Sequence, residues 1–221
     1  MPLNEQQIGV LLSAIKGYDY PAELYNFEER RKIEFKGMRE LECYLRAGLV
    51  SKDTQTLKFA LANIVYWGNI NSGYCQKRTE NFLVEVKEDE LEKAIDLFGK
   101  IKGESLRDIK DIGLPQFSNM SFISKLRMFL DPENYVTLDR KLLKIKKSGI
   151  HTVFDGVSEQ PTYIPINAQN CHQYLLWSQK CKNAANCYLG KGVIAVDVER
   201  GIFRLVDKGN LTEAGILVAN I

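Results

Sequence analysis

The sequence predicts a mostly or wholly α-helical protein, and two observations support that prediction. Apolar residues recur at spacings of three and four along most segments, which is the period of one helix face. Strand signals are few, and glycine and proline punctuate the chain locally without forming a linker long enough to separate two domains. We therefore predict an all-α fold that occupies residues 1–221 as a single helical domain.

Each helix is predicted from its own pattern. In residues 3–15 the apolar positions Ile8, Leu11, Leu12 and Ile15 share one face. Asp53 and Thr54 are suited to cap the helix that follows them. In chain order, the remaining predicted helices cover residues 23–49, 56–66, 78–86, 88–98, 105–110, 121–130, 139–148, 168–178 and 193–206. Alternating apolar residues over 193–198 leave a strand open as the competing interpretation of the last segment.

Composition excludes several classes of protein. A chain of 221 residues with 45% hydrophobic residues and a net charge of +2 has enough apolar content for a core and too little charge for a disordered chain. No stretch has the roughly 18 apolar residues of a membrane span, and the first residues lack the pattern of a secretory signal. Five scattered cysteines indicate reduced thiols. We expect a cytoplasmic protein without membrane contact.

Positive charge is concentrated in the middle of the chain. Residues 99–147 contain 11 Lys/Arg and 6 Asp/Glu, whereas the rest contains 19 and 22. A basic segment on a neutral body is typical of a local site for anions or phosphates. The alternative is a solvated helix face, which the charge count alone favours.

Within this segment, a lysine and an aspartate occupy positions suited to chemistry. Lys125 lies at the edge of the apolar face of helix 121–130, where partial dehydration favours the neutral amine as a nucleophile. After Asp131-Pro132 ends that helix, a short extended run leads to Asp139 at the start of the next, where unpaired N–H groups stabilise a carboxylate. Taken singly, such a lysine usually extends to water, and such an aspartate is usually only a helix cap.

The pattern as a whole resembles the helix-hairpin-helix DNA glycosylase superfamily, in particular its branch of 8-oxoguanine DNA glycosylases with AP lyase activity. Ser124-Lys125-Leu126 stands where that superfamily has its nucleophilic lysine, and Val136-Thr137-Leu138-Asp139 where it has its catalytic aspartate. The resemblance covers about forty residues, and residues 105–145 form the catalytic segment that it implies. It also implies two helical subdomains with a cleft between them, and base excision in DNA repair.

Residue roles follow from this resemblance. A damaged nucleotide of double-stranded DNA would flip out, Lys125 would attack C1′, and β-elimination from the Schiff base would nick the strand; Asp139 would stabilise the developing positive charge. The implied DNA contacts are Asn119, Ser121, Lys110, Arg127, Arg140, Lys141 and Lys144. The candidates for the pocket of the flipped base are Trp67, Tyr74, Gln173 and Trp177, although an aromatic residue at helical spacing is more often part of a core. We expect a monomer in the nucleoid that uses no cofactor and no metal.

The motif departs from the superfamily in two respects. Residues 119–123 replace the usual Gly-x-Gly, so that Gly113 is the nearest preceding glycine, and Lys125 and Asp139 are fourteen residues apart, which requires a shorter connection. A second hypothesis is therefore a non-catalytic helical DNA-binding or defence-associated accessory protein on the same scaffold, and a third is a helical protein-interaction module. Cys171, His172, Cys181 and Cys187 lack the spacing of a zinc or iron–sulfur site.

Overall fold

A computed structural model describes residues 2–100 and 106–221, and its all-α fold confirms the predicted class. The chain forms two compact units, the first made of Met1–Asp19 and Asp131–Ile221 and the second of Tyr20–Leu130. In the described part of the chain, no helix has both the length and the apolar character needed to cross a membrane. In chain order the elements are α1 (Glu5–Lys16), β1 (Glu23–Asn26), β2 (Arg31–Glu34), α2 (Met38–Leu49), α3 (Thr54–Asn69), α4 (Cys75–Glu85), α5 (Glu88–Phe98), α6 (Leu106–Asp111), α7 (Met120–Leu130), two 3-10 helices (Leu142–Ser148 and Val153–Gly156), α8 (Ala168–Tyr188), α9 (Ala195–Asp207) and α10 (Leu211–Asn220).

The first unit is organised around α9, which packs against α1, α8 and α10. Helix α1 begins in a capping box, in which the side chains of Asn4 and Gln7 each accept the backbone N–H of the other. At its crossing with α9, a Cβ on Gly201 would lie 2.8 Å from Cγ1 of Ile15. Glycine at this position therefore lets the two helices approach closely. Because α9 is helical from Ala195, the helical interpretation of the last predicted segment is confirmed over the strand.

The second unit is built on α3, which packs against α2, α4, α5, α7 and β1. Asp53 caps α3 as predicted, since its carboxylate accepts the backbone N–H of Thr56 at 2.7 Å. Buried residues lie on every side of the helix, as expected for a central element; they are Leu57, Ala60, Leu61, Ala62, Asn63, Ile64, Val65, Trp67 and Asn69.

The prediction of one helix over residues 23–49 is wrong in its first half. Strands β1 and β2 form an antiparallel hairpin there, and only Met38–Leu49 is helical. The side chain of Asn26 accepts the N–H groups of Glu28 and Glu29, and Arg30 has a φ of 52°, so the local chain closes a turn. Asn63 of α3 then holds β1 through two hydrogen bonds with the backbone of Tyr25. These contacts between residues distant in sequence favour the hairpin, although the apolar residues of this segment have the spacing of a helix.

Other boundaries differ less. Helix α8 continues to Tyr188, well beyond the predicted end at residue 178, while α10 and the 3-10 helix Val153–Gly156 were not predicted. Helix α5 has its predicted bounds. The predicted helix 105–110 corresponds to α6, although its first residue, like the first residue of the catalytic segment, lies outside the described residues.

Candidate functional site

The candidate nucleophile lies on α7 in the second unit. Helix α7 is buried along nearly all of its length, and Lys125 is only 7% exposed. Its Nζ lies 3.3 Å from the backbone oxygen of Ser121, one turn earlier, and 5.4 Å from the centre of the Phe122 ring. Lys125 is therefore not a lysine that extends to water, and its amine is held against apolar and backbone groups.

A glycine whose role beside Lys125 was not predicted from the sequence gives this lysine its space. Gly68 lies near the end of α3, and a Cβ there would be 2.9 Å from Cε1 of Phe122 and 3.3 Å from Cδ of Lys125. The aliphatic stem of the lysine thus packs beside bare backbone. A glycine inside a helix is the only sequence signal for such a close approach, and it does not identify the partner.

The start of α7 is capped by Asn119, one of the residues that the resemblance implies as DNA contacts. The Asn119 carbonyl accepts the N–H of Ile123 at 3.1 Å, and its side chain accepts the N–H of Phe122 at 3.4 Å. Ser121 follows in the first turn. Before the helix, Gly113 and Gln116 have φ values of +89° and +67°, so the connection that replaces the Gly-x-Gly hairpin turns at those two residues.

The candidate carboxylate belongs to the first unit. Asp139 follows the buried residues Val136, Thr137 and Leu138, as the extended run predicted, and it is half-buried. Its Oδ1 accepts the backbone N–H of Lys141 at 3.0 Å. Trp177 of α8 anchors the run, because its Nε1 donates to the Thr137 carbonyl at 3.0 Å. The carboxylate therefore has a supported position at the start of the following helix.

That helix is a 3-10 helix, Leu142–Ser148, not the predicted α-helix. Residues three apart share one side of a 3-10 helix, so Leu142 and Ile145 fall on the buried side. Lys141, Lys144 and Lys147 fall in a second row, which we call the lysine row. The period of three that buries the leucine and isoleucine thereby arranges the three lysines along one face.

Acidic neighbours balance part of this positive charge. Lys141 forms an ion pair with Asp207, and Nε of Arg140 lies 3.9 Å from the carboxylate of Glu159. Lys144 and Lys147 are exposed, and within the described part of the chain neither has an acidic partner. These two lysines are accordingly the ones open to an external phosphate.

The other two cations proposed as phosphate contacts differ from each other. Lys110 is exposed near the end of α6. Arg127 is 2% exposed inside α7, so a phosphate at the surface does not reach its guanidinium. The assignment of Arg127 to phosphate binding is therefore wrong, because α7 is buried on more sides than its apolar face indicated.

The two tryptophans proposed for a base pocket are core residues. Trp67 is 4% exposed and donates from Nε1 to the carbonyl of Pro21 at 3.0 Å, while Phe129 covers its ring edge-on at 5.1 Å. Trp177 is fully buried against Phe154. Both indole N–H groups are already bonded and neither ring offers a free face for a base. The assignment of Trp67 and Trp177 to the base pocket is therefore wrong.

The remaining base-pocket candidates keep accessible groups. Tyr74 is 64% exposed, and the guanidinium carbon of Arg78 lies 6.0 Å from the centre of its ring. Gln173 is half-buried on α8, where its amide packs over Gly156. Tyr74 belongs to the second unit and Gln173 to the first. Each is suited to contact a base, Tyr74 by stacking and Gln173 by hydrogen bonding.

Thiols and metal ligands were the weaker candidates from the sequence. No disulfide joins the five cysteines, all of which lie in the described ranges. Burial raises the pKa of the Cys181 thiol well above its ordinary value, which disfavours a thiolate there. Across residues 2–100 and 106–221, no three His, Cys, Asp or Glu side chains converge as metal ligands.

Comparison of the chain with protein-family models, with curated proteins and with solved structures finds no significant match.

Proposed function

We propose that this protein is a DNA glycosylase with AP lyase activity that removes an oxidised purine such as 8-oxoguanine. The observation that carries the proposal is the setting of Lys125, a lysine amine held on a buried helix, 3.3 Å from a backbone carbonyl and beside an aromatic ring. Keeping an amine out of water has a cost that a merely solubilising lysine avoids. A nucleophile gains from it, because packing fixes the direction of its amine.

The chemistry of base excision suits this amine. Once the damaged nucleotide has left the helical stack, the lone pair of Nζ attacks C1′ and the C1′–N bond to the base breaks. The base leaves with that electron pair and takes up a proton. Opening of the sugar ring yields an imine between Lys125 and C1′, and loss of a C2′ proton then expels the 3′ phosphate.

Asp139 supplies the negative charge that this reaction needs. Positive charge develops on the sugar as the base departs, and a fixed carboxylate lowers its energy. The backbone N–H of Lys141 orients the Asp139 side chain, and the Trp177 hydrogen bond holds the run that precedes it. We propose that Asp139 is the carboxylate that fills this role.

Affinity for DNA is assigned to the lysine row and to Lys110. Exposed lysines attract phosphates without reading the base sequence, and their contribution falls as salt rises. Lys144 and Lys147 are exposed and have no acidic partner in the described part of the chain, so they are expected to contribute most. Tyr74 and Gln173 remain the proposed contacts to the flipped base.

A second candidate function is favoured by the same burial. With Lys125 at 7% and Arg127 at 2% exposure, the scaffold is also suited to binding DNA through the lysine row without exposing a nucleophile. This non-catalytic accessory protein would bind duplex DNA in a salt-dependent manner and leave both strands intact.

Borohydride trapping separates the candidates. Wild-type protein is incubated with an 8-oxoguanine duplex or an abasic duplex and sodium borohydride, which reduces an imine to a permanent protein–DNA link. Lys125→Gln and Asp139→Asn are the test variants, and Lys52→Gln, at an exposed lysine of the same unit as Lys125, is the matched control. Peptide mapping identifies the linked lysine.

The proposal predicts an adduct with both duplexes in wild type and in Lys52→Gln, none in Lys125→Gln, and a large reduction in Asp139→Asn. An adduct with the abasic duplex alone would retain the lyase and reject 8-oxoguanine as the lesion. Duplex binding without any adduct would favour the accessory protein. Absence of DNA binding would leave the protein-interaction module as the remaining hypothesis.

A further inference from the structure

A groove on the first unit lies between α1 and the end of α9. Its volume is about 610 Å³. The groove stays open in part because α1 presents a glycine to it: a Cβ on Gly9 would meet no atom within 4 Å. Val10, Ala14 and Leu205 give the groove apolar walls. A concave surface of this size is suited to a small molecule with an apolar body.

Two cations line this groove. Arg204 and Lys208 are four residues apart at the end of α9, so their side chains are neighbours on the same face. The Arg204 guanidinium packs against the backbone of Gly17, where a Cβ would lie 2.6 Å from Nε and 2.9 Å from Cζ. Glycine at this position therefore makes room for the guanidinium. The Arg204 side chain is 25% exposed and the Lys208 side chain 51%, so Lys208 is the more accessible of the two cations.

One carboxylate already lies against both cations. Oδ2 of Asp19 is 2.9 Å from Nη1 of Arg204 and 3.5 Å from Nζ of Lys208. The contact with the guanidinium lowers the pKa of the Asp19 carboxyl below its ordinary value, so this group is charged at neutral pH. None of the described residues that line the groove is acidic. Two positive charges thus face one negative charge, and the arrangement shows that a carboxylate fits against this pair.

The ends of α1 and α9 do not require these cations as caps. The backbone N–H of Asn210 donates to the Leu205 carbonyl at 2.9 Å, and that of Tyr18 to the Ile15 carbonyl at 3.2 Å. Backbone groups therefore satisfy carbonyls that a lysine or arginine side chain often satisfies at the end of a helix. The positive charge that Asp19 does not neutralise is left for a ligand in the groove.

We propose that this groove binds a small monocarboxylate that carries an apolar or aromatic group. The carboxylate of the ligand lies against Lys208 and Arg204 and shares them with Asp19, so that one further negative charge neutralises the site. The apolar group of the ligand packs on Val10 and Leu205. This inference does not rest on the proposed glycosylase activity, and the groove contains none of the residues assigned to DNA.

Benzoate is the probe for this site, and benzamide is the matched neutral ligand, because the two molecules share a ring and differ in charge. Each is titrated into the protein at constant ionic strength, and the backbone amide signals of Gly9 and Gly17 are followed by heteronuclear NMR. We expect benzoate to shift both signals in a saturable manner. Benzamide lacks the charge, so its affinity should be at least about fivefold lower.

Four variants test the geometry of the site. Lys208→Gln removes an accessible charge and should weaken benzoate binding about fivefold, which is the effect of one charge at about 4 Å in water. Lys191→Gln, at an exposed lysine of the same unit, is the control and should bind as wild type does. Gly9→Leu should abolish binding, because its side chain fills the groove from a position where a Cβ meets no atom. Asp19→Asn removes the carboxylate that shares the cations and should strengthen binding severalfold.

Unshifted Gly9 and Gly17 signals in wild type would overturn the inference, and so would equal affinities for benzoate and benzamide. Benzoate binding that survives Lys208→Gln or Gly9→Leu, or that weakens in Asp19→Asn, would also overturn it. If Gly9→Leu does not fold, Lys208→Gln decides, because an ion pair of an exposed lysine contributes little to stability. No DNA is present in this experiment, so its result is independent of borohydride trapping on duplexes.

Discussion

The hydrogen bond from Trp177 to the Thr137 carbonyl offers a direct test of how Asp139 is held. Trp177→Phe keeps a buried aromatic ring and removes the donor, which lies 3.0 Å from that carbonyl. Because Trp177 is fully buried, no water replaces the lost N–H. The orphaned carbonyl costs about 1–3 kcal/mol and the lost ring volume about 1–2 kcal/mol. We therefore expect the free energy of unfolding to fall by about 3 kcal/mol.

Urea unfolding followed by far-UV circular dichroism measures this change without relying on the altered tryptophan. The matched control is Phe154→Leu, which replaces a ring that packs on Trp177 by a smaller side chain and leaves the hydrogen bond in place. We expect that control to lose about 1 kcal/mol and to retain borohydride trapping, whereas Trp177→Phe loses trapping because the run before Asp139 is released. The reasoning is refuted if Trp177→Phe is no less stable than Phe154→Leu, or if it traps DNA as well as wild type does.

Three further predictions address the surface, the helix crossing and pH. Lys144→Gln and Lys147→Gln should each reduce the slope of the logarithm of duplex-DNA affinity against the logarithm of salt concentration by about 1, as measured by fluorescence anisotropy. An unchanged slope would show that the lysine row does not contact DNA. Gly201→Ala should lower the melting temperature, because its Cβ would lie 2.8 Å from a side chain of α1. Gly9→Ala should raise the melting temperature, because its Cβ would meet no atom within 4 Å and alanine has the higher helix propensity. The reverse order of the two melting temperatures would contradict the packing of α1 on α9. Hydrogen bonds from Thr56 lower the pKa of Asp53 in the folded protein, so its stabilising contribution is present above the ordinary carboxyl pKa and is lost as pH falls through the lowered value. Asp53→Ala should accordingly be less stable than wild type at neutral pH and approach it in acid, which urea unfolding at several pH values will show.

Local chemistry in the sequence determined most of the helices. Helix α5 has its predicted bounds, and α3 begins after the predicted cap at Asp53. Helix α7, which Asn119 caps, begins within one residue of its predicted start. Periodicity and capping depend on neighbours within a few residues, and such neighbours can be read along the chain.

The candidate site was predicted less completely, because burial depends on segments distant in sequence. Lys125 was placed at the edge of a core, and packing beside Gly68 covers it more fully. Arg127 was assigned to the surface, but lies within a helix that is buried on several sides. Neither result follows from the pattern of α7 alone, which describes one apolar face and not how many partners cover the others.

The sequence by itself determined the helical class, most helix positions and the order of the lysine, the aspartate and the basic residues. The tertiary structure decided which groups are accessible: Trp67 and Trp177 became core residues with bonded indoles, while the 3-10 helix aligned Lys144 and Lys147 at the surface. It also replaced a predicted helix by the β1–β2 hairpin, which Asn63 holds from α3. Spacing along the chain specifies which residues share a face, whereas the segments that cover a face are brought there only by folding.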